Sequence, residues 1–131
     1  MFELMKVIKI ILILFLFSSC GKETGSKIVG GNLSVYFLER SDKDKAESIA
    51  KYWKNNNLIA VGKQDLQLVR FQDGYELRLI AKNSKNVNKM PFNERKILSD
   101  LQRDISDSLK LKGLQLVLCN SNFKPIFNIN Q

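Results

Sequence analysis

The sequence predicts a small α+β domain in which two helices cover one face of an antiparallel sheet. Three observations predict it: an alternating run followed by an amphipathic helix, a hairpin signal at Asp73-Gly74, and a second amphipathic helix before an apolar run. Their order is β-α-β-β-α-β, which is the ferredoxin-like arrangement. Residues 123–129 add a possible C-terminal edge strand, because Pro125 cannot donate to a central ladder.

The first unit is a strand followed by a helix. Residues 33–38 alternate with a period of two and carry apolar side chains on both faces, which predicts a central strand. Ser41 can cap a helix over residues 42–55, with acidic residues in its first turn. The apolar stripe of this helix recurs at i, i+3, i+4 and i+7: Ala46, Ile49, Ala50 and Trp53.

The hairpin separates a core face from an open face. With Asp73-Gly74 as a two-residue turn, Gln72 pairs with Tyr75 and Leu68 with Leu79. The leucine-rich face is expected to pack on the helices. The other face is half apolar, and we predict that a partner docks on it through Val69, Phe71, Arg78 and Ile80. The alternative is that the C-terminal segment covers this face.

The second unit is a helix followed by a buried strand. Pro91 suits the first position of a helix, and Gly113 suits its end, so we expect a helix over residues 91–111. Its apolar stripe consists of Ile97, Leu98, Leu101, Ile105 and Leu109. Residues 114–119 are nearly all apolar and predict a buried strand. The domain is therefore expected to span residues 33–131.

The first twenty residues predict an export signal. Lys6 and Lys9 precede eight consecutive apolar residues, 10–17, and small residues follow. Eight residues cannot span a bilayer, which needs about 20. The pattern is thus typical of a secretory signal peptide.

Phe17-Ser18-Ser19-Cys20 resembles the lipobox of bacterial lipoprotein precursors. The resemblance implies that residues 1–19 are removed and that Cys20 then carries lipid on its sulfur and amino group. Three acyl chains would hold the protein at a membrane. Gly21 stands where an aspartate would retain such a protein at the inner membrane, which implies the outer membrane. The alternatives are a plain secretory signal, or a buried N-terminal helix, that happens to end in cysteine.

The mature chain would have 112 residues and a net charge of about +7, because the removed segment contains Lys6 and Lys9 against Glu3. Residues 20–32 comprise the lipidated cysteine and a glycine-rich polar stretch, which predicts a flexible tether. Cys119 would be the remaining thiol, and at the end of an apolar strand we expect it to serve as a small buried side chain.

The residue types argue against catalysis and against metal or cofactor binding. The chain has no histidine, which removes the commonest general base and most zinc sites. Its two cysteines cannot form a metal cage, and no catalytic or metal-binding residues are predicted. Glu39 is the best single acid candidate. A small envelope hydrolase using carboxylates or a Ser–Lys pair remains an alternative, and it would require a deep pocket around such groups.

The charge allows anionic partners without specifying one. The net charge of the full chain is +8, but 16 lysines against 5 arginines, with many Asn and Ile, also fit an AT-rich genome. No run of five basic residues occurs, which argues against nucleic acid. We therefore expect a lipid-anchored envelope protein with a non-catalytic binding or accessory domain, facing an envelope protein or an anionic surface. An immunity or inhibitor lipoprotein is a further alternative.

Overall fold

A mixed sheet of six strands carries two helices in the computed structural model, which describes residues 25–59, 62–81 and 90–129. The predicted signal peptide and Cys20 lie outside the described residues. The strands are β1 Ser26–Gly30, β2 Leu33–Phe37, β3 Gln64–Phe71, β4 Gly74–Ile80, β5 Gln115–Cys119 and β6 Pro125–Asn128. The helices are α1 Lys43–Asn55 and α2 Phe92–Leu109, and a 3₁₀ turn, Arg40–Asp42, precedes α1.

The strands lie side by side in chain order, from β1 to β6. The pairs β1–β2, β3–β4 and β5–β6 are antiparallel, whereas β2–β3 and β4–β5 are parallel. The α+β class with two helices is therefore confirmed, but the sheet is mixed instead of antiparallel. The ferredoxin-like order is not confirmed, since each helix connects two neighbouring strands.

Both helices pack on one face of the sheet, and the core lies between them and the strands. Trp53 and Ile49 of α1 and Ile105 of α2 belong to the same buried cluster as the inward leucines of β3 and β5. The hydroxyl of Tyr52 on α1 donates a hydrogen bond to Asp104 on α2. Burial and this carboxylate raise the pKa of Tyr52 to about 12. The helices are thus joined to each other as well as to the sheet.

Part of the stretch predicted to be a tether is an edge strand. β1 pairs with β2 over its whole length, from Ser26 opposite Phe37 to Gly30 opposite Leu33. Gly31 forms the connecting turn with φ +65°, a conformation that glycine adopts without strain. The expected boundary at residue 33 is therefore too late, because a tight glycine turn has the same composition as a flexible linker.

The β3–β4 hairpin is shifted from the predicted register by two residues. Phe71 pairs with Gly74 and Leu68 with Leu77, so Gln72 and Asp73 form the turn. Gly74 is the first residue of β4, where its backbone contacts Gly113: a Cβ added to Gly74 would lie 2.6 Å from the carbonyl oxygen of Gly113. A shift of two residues leaves every side chain on its predicted face.

The first half of α2 is more exposed than the predicted stripe implies. Ile97 is 66% exposed, and Ile105 is the buried residue of this helix. The guanidinium of Arg95 lies 5.1 Å from the ring centre of Phe127 on β6.

Among the described residues, neither helix is long and apolar enough to cross a membrane.

Candidate functional site: the open face of the sheet

The face opposite the helices carries a row of side chains that crosses four strands. Tyr36 of β2 lies beside Gln67 of β3, which pairs with Arg78 of β4, and Arg78 lies beside Val117 of β5. Period-two alternation places these residues on one face and the leucines on the other. The predicted division into a core face and an open face therefore describes the hairpin correctly.

A buried ion pair lies at the centre of this face. Nη2 and Nε of Arg78 donate to Oε1 of Glu76 at 3.0 and 3.2 Å. The side chain of Glu76 is 7% exposed and that of Arg78 is 22% exposed. Nη1 of Arg78 also contacts Gln67 Oε1 at 3.5 Å and the Phe123 carbonyl oxygen at 3.3 Å. Because a buried charge needs such partners, this arginine is committed to the fold.

The loop between β5 and β6 folds over the middle of the face. Phe123, which has φ 59°, packs its ring edge-on against Tyr36 at a centroid distance of 5.7 Å. The loop is held by Asn120, whose Oδ1 accepts hydrogen bonds from the backbone N–H groups of Asn122 and Lys124. The C-terminal segment therefore covers the centre of the open face, as the alternative prediction expected.

A cleft of about 510 Å³ remains beside this loop. It lies on the open side of β4, β5 and β6, near the turn of the hairpin. Its walls combine an aromatic ring, amides, a carboxylate and aliphatic groups: Phe71, Gln72, Glu76, Gln115, Val117, Pro125, Ile126, Phe127 and Asn128. Aromatic and amide groups around a concave surface are suited to binding through stacking and hydrogen bonds.

The four predicted docking residues have different positions on this face. Phe71 is 43% exposed and lines the cleft, whereas Arg78 is held by Glu76. Val69 and Ile80 are partly buried and do not line the cleft. The structure thus joins Phe71 to residues of β5 and β6 that sequence patterning did not select, because a parallel β4–β5 pair was not expected.

Cys119 is a buried thiol at the end of β5. Its Sγ lies 3.8 Å from the Val117 carbonyl oxygen, and burial raises the pKa of the thiol to about 11. Since the thiolate is the nucleophile, this cysteine is unreactive at neutral pH. The prediction that it serves as a small buried side chain agrees with this position.

A second polar cluster joins the end of β2 to the hairpin on the helix side of the sheet. Arg70 Nε and Nη2 donate to the two carboxylate oxygens of Asp42 at 3.1 and 3.2 Å, and Tyr75 donates to Oδ1 at 3.2 Å. Hydrogen bonding to Asp42 raises the pKa of Arg70. In the sequence, this ion pair is indicated by Arg70, a charged residue on the face of β3 that otherwise carries the inward leucines.

Glu39, the best acid candidate from sequence, belongs to the same cluster. Its carboxylate lies 3.2 Å from Arg70 Nη1, and its side chain is 53% exposed. An acid for general acid catalysis is usually held in apolar surroundings, which this position does not provide. Within the described ranges, no three potential acidic, cysteine or histidine ligands converge to form a metal site.

Comparisons with protein-family models, with curated proteins and with solved structures gave no match to this chain.

Proposed function

We propose that the protein is a lipid-anchored lipoprotein of the bacterial cell envelope whose domain binds a partner without catalysing a reaction. The lipobox-like sequence ending at Cys20, after a positive and then apolar stretch, supports the anchor. Gly21 favours the outer membrane. The partner is an envelope component, either a protein or an anionic surface.

The cleft on the open face is the observation that carries the binding role. It is concave, it holds a partly exposed aromatic ring, and amide groups line it. Its carboxylate, Glu76, already binds Arg78 and is therefore committed to structure rather than proton transfer. These features favour recognition over acid–base chemistry.

The proposal is tested by site-specific photo-crosslinking in cells. A photoreactive amino acid replaces Ile126, which lines the cleft on edge strand β6, and the control probe replaces Val29 on edge strand β1. Val29 is 60% exposed and Ile126 is partly exposed outside the core cluster, so neither substitution removes a core side chain. We expect a discrete adduct from Ile126 that is absent from Val29. Equally weak crosslinking from both probes, without a discrete adduct from Ile126, would contradict a binding cleft.

A further inference from the structure

The position at which the chain enters the domain restricts how an anchored domain can lie. Gly25 packs tightly on β2: a Cβ added to it would lie 2.3 Å from the carbonyl oxygen of Phe37. β1 begins at Ser26 and is paired from its first residue. Five peptide steps separate Cys20 from Gly25, and they reach at most about 18 Å.

This entry point defines one end of the sheet, which we call the Gly25 end. It comprises residues 38–45, which follow β2, residues 70–75 of the β3–β4 hairpin, and residues 110–114 before β5, where Gly113 contacts Gly74. Lys63, just before β3, lies at the opposite end. Gly25 lies at the level of Leu38 and Lys63 at the level of Asn32, so about 20 Å of strand separates the point of entry from the Lys63 end. An anchor at Cys20 can therefore bring the Gly25 end, but not the Lys63 end, to the lipid.

The Gly25 end presents two apolar side chains to solvent. Leu38 is 47% exposed and Phe71 is 43% exposed. Leucine and aromatic side chains are favoured where protein meets the lipid–water interface. Exposed charges at this end have both signs, with Arg40, Lys43, Lys110 and Lys112 against Glu39, Asp44 and Asp73. Val29 and Phe92 are more exposed apolar residues that lie outside this end, so the tether length decides the orientation.

We infer that the Gly25 end lies on the bilayer surface, with Leu38 and Phe71 at the interface and Lys63 directed away from it. The inference depends on the lipid at Cys20 in the proposed function. A short tether gives the domain a high effective concentration at the surface, so two small apolar contacts are sufficient to bias its orientation. Phe71 also lines the cleft, and the cleft therefore opens close to the membrane.

The orientation is tested with the full lipoprotein reconstituted in vesicles. A fluorophore is attached at L38C and, as the matched control, at K63C; both native residues are exposed. Cys119 is buried and stays unlabelled, and Cys20 carries the lipid. The vesicles contain phosphatidylethanolamine and phosphatidylglycerol with a spin-labelled headgroup lipid as quencher. Flotation of the vesicles is measured on the same samples.

Co-flotation with several-fold stronger quenching at position 38 than at position 63 is the expected result. Co-flotation with equal quenching at the two positions would overturn the orientation while leaving the anchor intact. Failure to float would overturn the lipid anchor and the orientation with it. Repeating the measurement with Phe71→Ser should lower the quenching at position 38, and an unchanged value would exclude Phe71 from the interface.

Discussion

The carboxylate of Asp42 links the turn before α1 to the β3–β4 hairpin. Its side chain is 2% exposed, although it sits one residue before α1, where capping residues are usually solvated. It accepts hydrogen bonds from Arg70 and Tyr75, which come from β3 and β4. A buried carboxylate is stable only when such donors replace water. The cluster therefore stabilises the fold at the Gly25 end.

Asp42→Asn should lower the free energy of unfolding by about 1.5–3 kcal/mol, the usual range for hydrogen bonds to a charged group. Arg70 is 46% exposed, so solvent screens part of the loss and the lower half of this range is expected. Urea denaturation followed by Trp53 fluorescence measures it. Asp44→Asn is the control, because Asp44 is exposed on the same turn and its loss costs less than about 1 kcal/mol. Equal losses in the two variants would refute the role of Asp42.

At the scale of elements, the contact between two glycines fixes how the hairpin meets the strand that follows α2. Gly113 has φ +66°, and its backbone passes so close to Gly74 that a Cβ at Gly74 would clash with it, whereas a Cβ at Gly113 would lie 3.2 Å from the Cα of Gly74. This approach explains why Asp73-Gly74, a strong turn signal, does not occupy the two central turn positions. Gln72 takes the first position with φ 52° instead.

Gly74→Ala should destabilise the domain by about 1–3 kcal/mol, because its Cβ would displace the backbone around Gly113. Gly30→Ala is the matched control: a Cβ at Gly30 meets nothing within 4 Å, and a change within about 0.5 kcal/mol is expected. Thermal unfolding of both variants compares them directly. A Gly74→Ala protein as stable as the Gly30→Ala protein would show that the two backbones are not in contact.

Most elements could be predicted because their patterns are local. The period of 3.6 in α1 and the alternation in β2 and β3 depend only on neighbouring residues and the core that they share. β1 was missed because its two apolar residues, Ile28 and Val29, lie between glycines and polar residues that also suit a tether. The exposure of Ile97 was missed because periodicity does not show how far a helix extends beyond its packing surface.

At the scale of the whole molecule, the strand order departs from the handedness rule for parallel connections. β2 and β4 are antiparallel to each other. Each is followed by a helix and then by a parallel neighbour, β3 or β5, and both of these neighbours lie toward the β6 edge of the sheet. With both helices on one face, the two crossovers must have opposite hands. Right-handed crossovers are strongly preferred, and a ferredoxin-like order would allow two of them on one face. The handedness rule and the order of elements both favour the ferredoxin-like arrangement, which the structure does not confirm.

The candidate site depends on this same nonlocal arrangement. Phe71 could be predicted on the open face, since alternation determines its side of the sheet. Its neighbours in the cleft come from β5 and β6, which reach it only through the parallel β4–β5 pair and the β5–β6 hairpin. Phe123 reaches Tyr36 across two intervening strands. No local sequence pattern encodes these contacts between distant strands, so the cleft could be identified only from the structure.

We propose that lipid at Cys20 anchors this domain to a membrane. The intact mass of the protein purified from membranes, beside a Cys20→Ala variant, tests this anchor. We expect a wild-type chain of 112 residues that begins at Cys20 and carries three acyl chains, and a variant without lipid that leaves the membrane fraction. A wild-type protein that starts elsewhere, bears no lipid and fractionates with soluble proteins would contradict it.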